Sequence, residues 1–253
     1  MKKYILVFAV FSFLGVTTSQ AQLLKKISGG TSADSSKKTF NVNDLLGGTK
    51  GTLSTEDMAR GLKEALSVGA TKGTQKLNAL DGYFANAAIK VLMPPEAKKV
   101  EQTLRSLGLG SQVDKAILSM NRAAEDAAAA AAPIFLEAIK SMTIQDAAGI
   151  LRGGENAATR YLQDKTTAAL TSAFRPSIEK SLQKVDATKY WNDVFSNYNR
   201  FSKEKVNTDL PAYVTEKALS GIFYQVAEEE KKIRKDPAAR TSELLKKVFA
   251  EAK

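Results

Sequence analysis

From Leu53 onward the chain repeats the spacing of a helical apolar face and not the alternation of a strand. No run of period-two alternation rich in β-branched residues breaks this pattern, so no strand is expected. Near its centre lie six consecutive alanines, Ala127 to Ala132, the residue that most favours helix. A chain of this kind buries apolar surface only by packing helix on helix. Its apolar content of 43% is close to the globular average, enough for a core. There is no Cys, so packing alone must hold the fold.

Local signals divide the stretch. Ser54 and Asp57 suggest a cap, after which Met58, Leu62, Ala65 and Leu66 trace one helical face. Gly69 and Gly73 leave its end open, between about Val68 and Leu77. Gly82 to Met93 is ambiguous; Tyr83, Phe84, Ala87, Ala88 and Ile89 suit a short buried helix. Pro94-Pro95 opens a helix over 95–107, stopped by Gly108 and Gly110. The next starts near Ser111, carries Val113, Ile117, Leu118 and Met120 and enters the alanine run, where Pro133 kinks or restarts it. Thr143 and Asp146 cap a helix to Leu151, closed by Gly153-Gly154. A helix from Asn156 to Phe174 bends or restarts at Pro176 and continues to Val185. Asp186 is placed to cap a helix from Thr188 to Phe201, with Tyr190, Trp191, Val194, Phe195 and Tyr198 as an aromatic core face. Thr208 or Asp209 starts the longest helix, Pro211 to about Lys235, and a short helix over Ser242 to Ala250 ends the chain. The expectation is one all-α domain over residues 53–253, an irregular orthogonal multi-helix bundle of eight to ten helices.

The first 52 residues differ in character. Lys2 and Lys3, the apolar run Tyr4 to Val16 and the small residues of Ser19-Gln20-Ala21 have the layout of a secretory signal peptide over 1–21, cut after Ala21. The apolar run has 13 residues, short of the ~17–25 of a spanning helix. Retention as an uncleaved anchor is the alternative. Residues 22–52 read as a flexible basic linker: Gly29-Gly30, Gly47-Gly48 and Gly51 break every periodicity, and five lysines oppose two aspartates. Phe40, Val42, Leu45 and Leu46 form a short apolar patch suited to docking on the domain. No later segment approaches ~18 uninterrupted apolar residues, so the mature chain has no transmembrane span. The place of action is periplasmic or secreted.

Composition narrows the chemistry. Without His or Cys, the commonest general base and the thiol nucleophile are missing, and with them histidine and cysteine metal sites. No metal or other cofactor is expected. Loss of Lys2 and Lys3 leaves 35 basic residues against 27 acidic, a net +8. That surplus favours anionic partners such as anionic lipid or cell-wall material, or simply aids solubility; export argues against nucleic acid.

Two polar groups are candidate ligand-binding sites. Asn121, Arg122 and Glu125 open the alanine helix, as a buried network or a pocket wall. Glu125 is the one candidate catalytic carboxylate, able to act as an acid or base if desolvated. Arg152 precedes Gly153-Gly154 at the start of a helix whose N–H groups could meet an anion, and Arg160 follows one turn later. The charge run Glu228 to Lys235 reads as a solvated, self-paired face, with a carboxylate cluster for a divalent cation as the alternative. The alanine run reads as a closely packed core helix or as the wall of a cavity for an apolar chain.

Stretches in order along the chain carry a family resemblance: LSTEDMARGLKEALSVG from Leu53, NRAAE from Asn121, MTIQDAAGILRGG from Met142, AATRYLQDK from Ala157, Phe174-Arg175-Pro176, and VTEKALSGIFYQVAEEEKKIRKDPAARTSELLKKVF from Val214. Together they resemble the bacterial domain-of-unknown-function family 4197 over nearly all of residues 53–253. The resemblance implies a single-domain exported or envelope protein of Gram-negative bacteria and brings no catalytic residues. The leading expectation is a non-enzymatic binding or interaction module for an anionic envelope component or another envelope protein. The alternatives are a carboxylate-dependent hydrolase of an envelope polymer, using Glu125, and a carrier of an apolar ligand.

Overall fold

The computed structural model describes residues 53–203, 205–236, 240, 244 and 246–248. The expected signal peptide, the linker and its Phe40–Leu46 patch lie outside the described residues. The expected terminal helix is described only at Leu244 and residues 246–248, which are helical. Eight α-helices and one 3-10 turn form a single all-α domain among the described residues: α1 Thr55–Asn78, the 3-10 turn Pro95–Ala97, α2 Lys98–Ser106, α3 Gly110–Ala128, α4 Ala131–Ser141, α5 Ile144–Arg152, α6 Ala157–Gln183, α7 Ala187–Phe201 and α8 Leu210–Lys235. No helix among them is long and apolar enough to cross a membrane.

Helix α8 is the axis of the bundle. It packs on α6, α1 and α3, and more lightly on α7. Its buried residues, among them Val214, Ala218, Ile222 and Val226, occupy more than one face. Around it, α3 packs on α6 and α1, and α1 also holds α4 and α5. Phe135 of α4 meets Phe223 of α8 edge-on, with ring centroids 6.0 Å apart.

Three of the expected caps form. Ser54 accepts from the Asp57 N–H at 3.0 Å, and Thr143 and Asp146 form a reciprocal capping box. Asp209 accepts from the Ala212 N–H at 3.0 Å and starts α8. Pro133 restarts rather than kinks: α3 ends at Ala128 and α4 begins at Ala131, so the break falls where the proline ring would meet the carbonyl four residues back.

Three expectations change, and one open end is settled. Helix α1 runs through both glycines and ends at Asn78, one residue beyond Leu77. Gly69 and Gly73 lie buried against α8, where an added Cβ would stand 3.4 Å from Ile233 Cδ1 and 3.4 Å from Gln225 Cγ respectively. Residues 79–94 form turns and extended backbone instead of a short helix. Asp81 is left-handed (φ 66°), and the N–H groups of Tyr83, Phe84 and Val91 bond side chains of α3. Helix α6 runs unbroken through Pro176. Asp186 precedes α7 in a left-handed conformation (φ 52°), and its side chain makes no capping bond.

Gly221 of α8 lies under the ring of Tyr83, which an added Cβ would overlap. We expect Gly221→Ala to destabilise the domain by about 1–3 kcal/mol, the usual cost of overpacking a core. Urea unfolding followed by circular dichroism would measure it; a midpoint equal to the wild type would contradict the close approach.

Candidate functional site

Asn121 and Glu125 stand one turn apart on α3 and face residues 79–94. Asn121 is fully buried; its Nδ2 donates to the carbonyls of Val91 and Ile117, both at 2.8 Å, and its Oδ1 accepts from the Val91 N–H at 2.9 Å. Glu125 Oε1 accepts from the N–H groups of Tyr83 and Phe84, both at 3.1 Å, and Oε2 accepts from Arg122 at 2.6 Å. Arg122 reaches on to Asp81 at 2.7 Å. The Tyr83 hydroxyl donates to the Ala218 carbonyl of α8 at 2.8 Å. Burial, and then the Glu125 charge, push the Tyr83 phenol far above its usual range. The three candidates on α3 thus hold the irregular segment and its tyrosine against α8. The Glu125 side chain is 4% exposed, and each of its oxygens already accepts from protein donors.

A second carboxylate does similar work at the start of α6. Glu230, in the middle of the late charge run, points inward instead of into solvent. It accepts from the N–H groups of Ala158 (3.1 Å) and Thr159 (2.8 Å), from the Thr159 hydroxyl (2.8 Å) and from Arg234 (2.8 Å). Arg234 also donates to the Ile150 carbonyl at 2.9 Å. The helix start expected to meet an anion therefore meets one from within the protein. Lys231 and Lys232 are exposed: Lys232 pairs with Glu229, which is partly buried over Gly69 and Gly73, at 2.7 Å, and Lys231 stands 3.9 Å from Glu228. Arg152 and Arg160 are exposed; Arg152 donates to the Ala148 carbonyl at 3.3 Å, and neither is joined to Asn121, Arg122 or Glu125.

Other arginines are similarly committed. Arg105 bridges Glu101 and Asp114, and Arg175 bridges Glu179 and Asp209. With Arg122, three guanidiniums each hold two carboxylates, so they offer little free positive surface. Among the described residues, no three acidic side chains gather as metal ligands.

An apolar groove of about 430 Å3 opens between α2, α3 and α7. Leu104 of α2, Val113 and Ala116 of α3, and Tyr190 and Val194 of α7 form its walls, with Trp191 and Phe195 among its lining. Trp191 and Phe195 stack with centroids 4.3 Å apart and are buried. Tyr190 and Val194, expected in the core, remain 63% and 41% exposed. Helix α7 is fixed by its return loop: Trp191 Nε1 donates to the Asn207 carbonyl at 3.0 Å, and the Asn199 amide pairs with both backbone groups of Val206. The alanine run does not line this groove; Ala127, Ala128 and Ala131 of the run are at 0% exposure in the core, as are Ala123 and Ala124 just before it. The α3 part of the lining, Gln112 to Met120, comes earlier in the helix.

Residues 52–250 match the family described as "Protein of unknown function (DUF4197)". The chain belongs to this family. No curated protein and no solved structure shows significant similarity to it. Sequence spacing in this DUF4197 chain marks the α7 aromatics but not the groove, which depends on where α2 and α3 lie. The inward turn of Glu230 is equally hidden among three successive glutamates.

Removing Glu230 would leave Arg234 and two helix N–H groups buried without their acceptor. We expect Glu230→Ala to cost about 3–5 kcal/mol, and Glu228→Ala to stay within about 0.5 kcal/mol of wild type. Chemical denaturation of both variants checks the contrast; equal small effects would contradict the buried role of Glu230.

Proposed function

We propose that this chain is a non-enzymatic binding protein that carries an apolar ligand in the groove between α2, α3 and α7. The single observation behind this reading is the groove itself. Its volume falls within the ~300–1,000 Å3 of small-molecule sites, and its walls are mostly aliphatic and aromatic. The uncovered Tyr190 and Val194 supply contact surface that nothing else in the described domain uses. Burial of a ligand's apolar area there gains roughly 25 cal/mol per Å2 before the costs of association.

The sequence of residues 1–21 supports a place of action outside the cytoplasm, and the carrier role joins that export to the envelope. The hydrolase alternative has less behind it. Glu125 is engaged by backbone and Arg122, and it does not line the groove.

The test uses the full mature chain and a neutral fluorophore, N-phenyl-1-naphthylamine. Saturable binding at one probe per chain is expected. Ala116→Phe, which fills the groove from α3, should weaken it at least tenfold without lowering the unfolding free energy by more than about 1.5 kcal/mol. Absence of saturable binding to the wild type, or unchanged binding to a folded Ala116→Phe, would contradict the proposal.

A further inference from the structure

The groove has one charged residue in its lining, and it is a cation. Lys115 of α3 makes no ion pair among the described residues. Its neighbour Asp114 is already taken by Arg105 at 2.8 Å. Gln112, three residues earlier and therefore on the same side of the helix, also lines the groove. The Gln112 side-chain oxygen accepts from Ser111 at 3.0 Å, and its amide NH2 has no acceptor among the described residues. Ser119, one turn beyond Lys115, spends its hydroxyl on the Lys115 carbonyl at 2.8 Å. The polar edge of an otherwise apolar groove thus presents one ammonium and one amide donor, and no free carboxylate.

We propose that the occupant of the groove is a free fatty acid, its chain along Val113, Ala116, Tyr190 and Val194 and its carboxylate against Lys115 and Gln112. This rests on the carrier reading above and adds the headgroup to it. Two arguments select this ligand. The volume, toward the lower end of small-molecule sites, suits one acyl chain rather than two. The single cation balances a monoanion, whereas a phosphate monoester carries about −1.5 to −2 charges and draws on several donors, often Arg. Lys115 is exposed and holds its partner at the groove mouth, in contact with water. Its effect on affinity is accordingly moderate, in the range of charge pairs that remain partly hydrated.

The experiment displaces bound N-phenyl-1-naphthylamine with laurate or with dodecanol, at pH 8 and low salt, from the wild-type chain and from Lys115→Met. The expected result is a preference for laurate of about 3–10-fold in the wild type, shrinking at high salt. In Lys115→Met that preference disappears while dodecanol binds as before. Equal affinity of the two ligands for the wild type, or a preference that survives Lys115→Met, overturns the fatty-acid assignment and leaves the carrier reading standing. Probe binding that neither ligand displaces also overturns the assignment. A wild type that binds no probe removes both. Self-association that excludes the probe as protein concentration rises would give the groove to a second copy and likewise overturn the assignment.

Discussion

The fold depends on the close approach of helices around α8. With no disulfide to restrain the chain, side-chain packing must supply the stability, and packing improves as backbones come together. Small residues make this possible. Gly69 and Gly73 let α1 lie against Ile233 and Gln225, Gly221 admits the Tyr83 ring, and the alanines of α3 are buried without bulk. Small residues carry a cost elsewhere, since glycine in a helix is less favourable than alanine by roughly 0.5–1 kcal/mol. Here that loss is offset by the contacts it permits.

Two buried carboxylates close gaps that apolar packing cannot. Irregular backbone at 79–94 and the first turn of α6 both bring N–H groups into the interior, where an unmet donor is costly. Glu125 meets the first set and Glu230 the second, each with an arginine to balance its charge. In isolation such residues look like candidate catalysts or anion sites. In place, their atoms are already spent on holding the chain.

How much of this was legible follows from the range of each interaction. Caps at Ser54, Thr143 and Asp209 involve residues three positions apart, and all three act as the sequence suggests. The family resemblance is equally local in its parts and holds over residues 52–250. By contrast, Glu125 bonds backbone 41 and 42 residues away, and Glu230 bonds backbone 71 and 72 residues away. No periodicity records such pairings. Gly69 and Gly73 leave the end of α1 open in the sequence, which cannot show what lies against them. The α7 aromatics show a similar limit: spacing defines their face, while only the neighbouring helices decide that Trp191 is covered and Tyr190 is not.

A helical domain whose apolar groove leaves Tyr190 and Val194 uncovered fits the proposed carrier role. Trp191 offers the most direct test, because it is the chain's sole tryptophan and lines the groove. Its fluorescence can be followed while a bromine-labelled alkyl chain, which quenches on contact, is added. The carrier account predicts strong quenching that saturates at one ligand per chain and is reversed by the unlabelled compound. Weak quenching that rises linearly with concentration, as for random collisions, would contradict it.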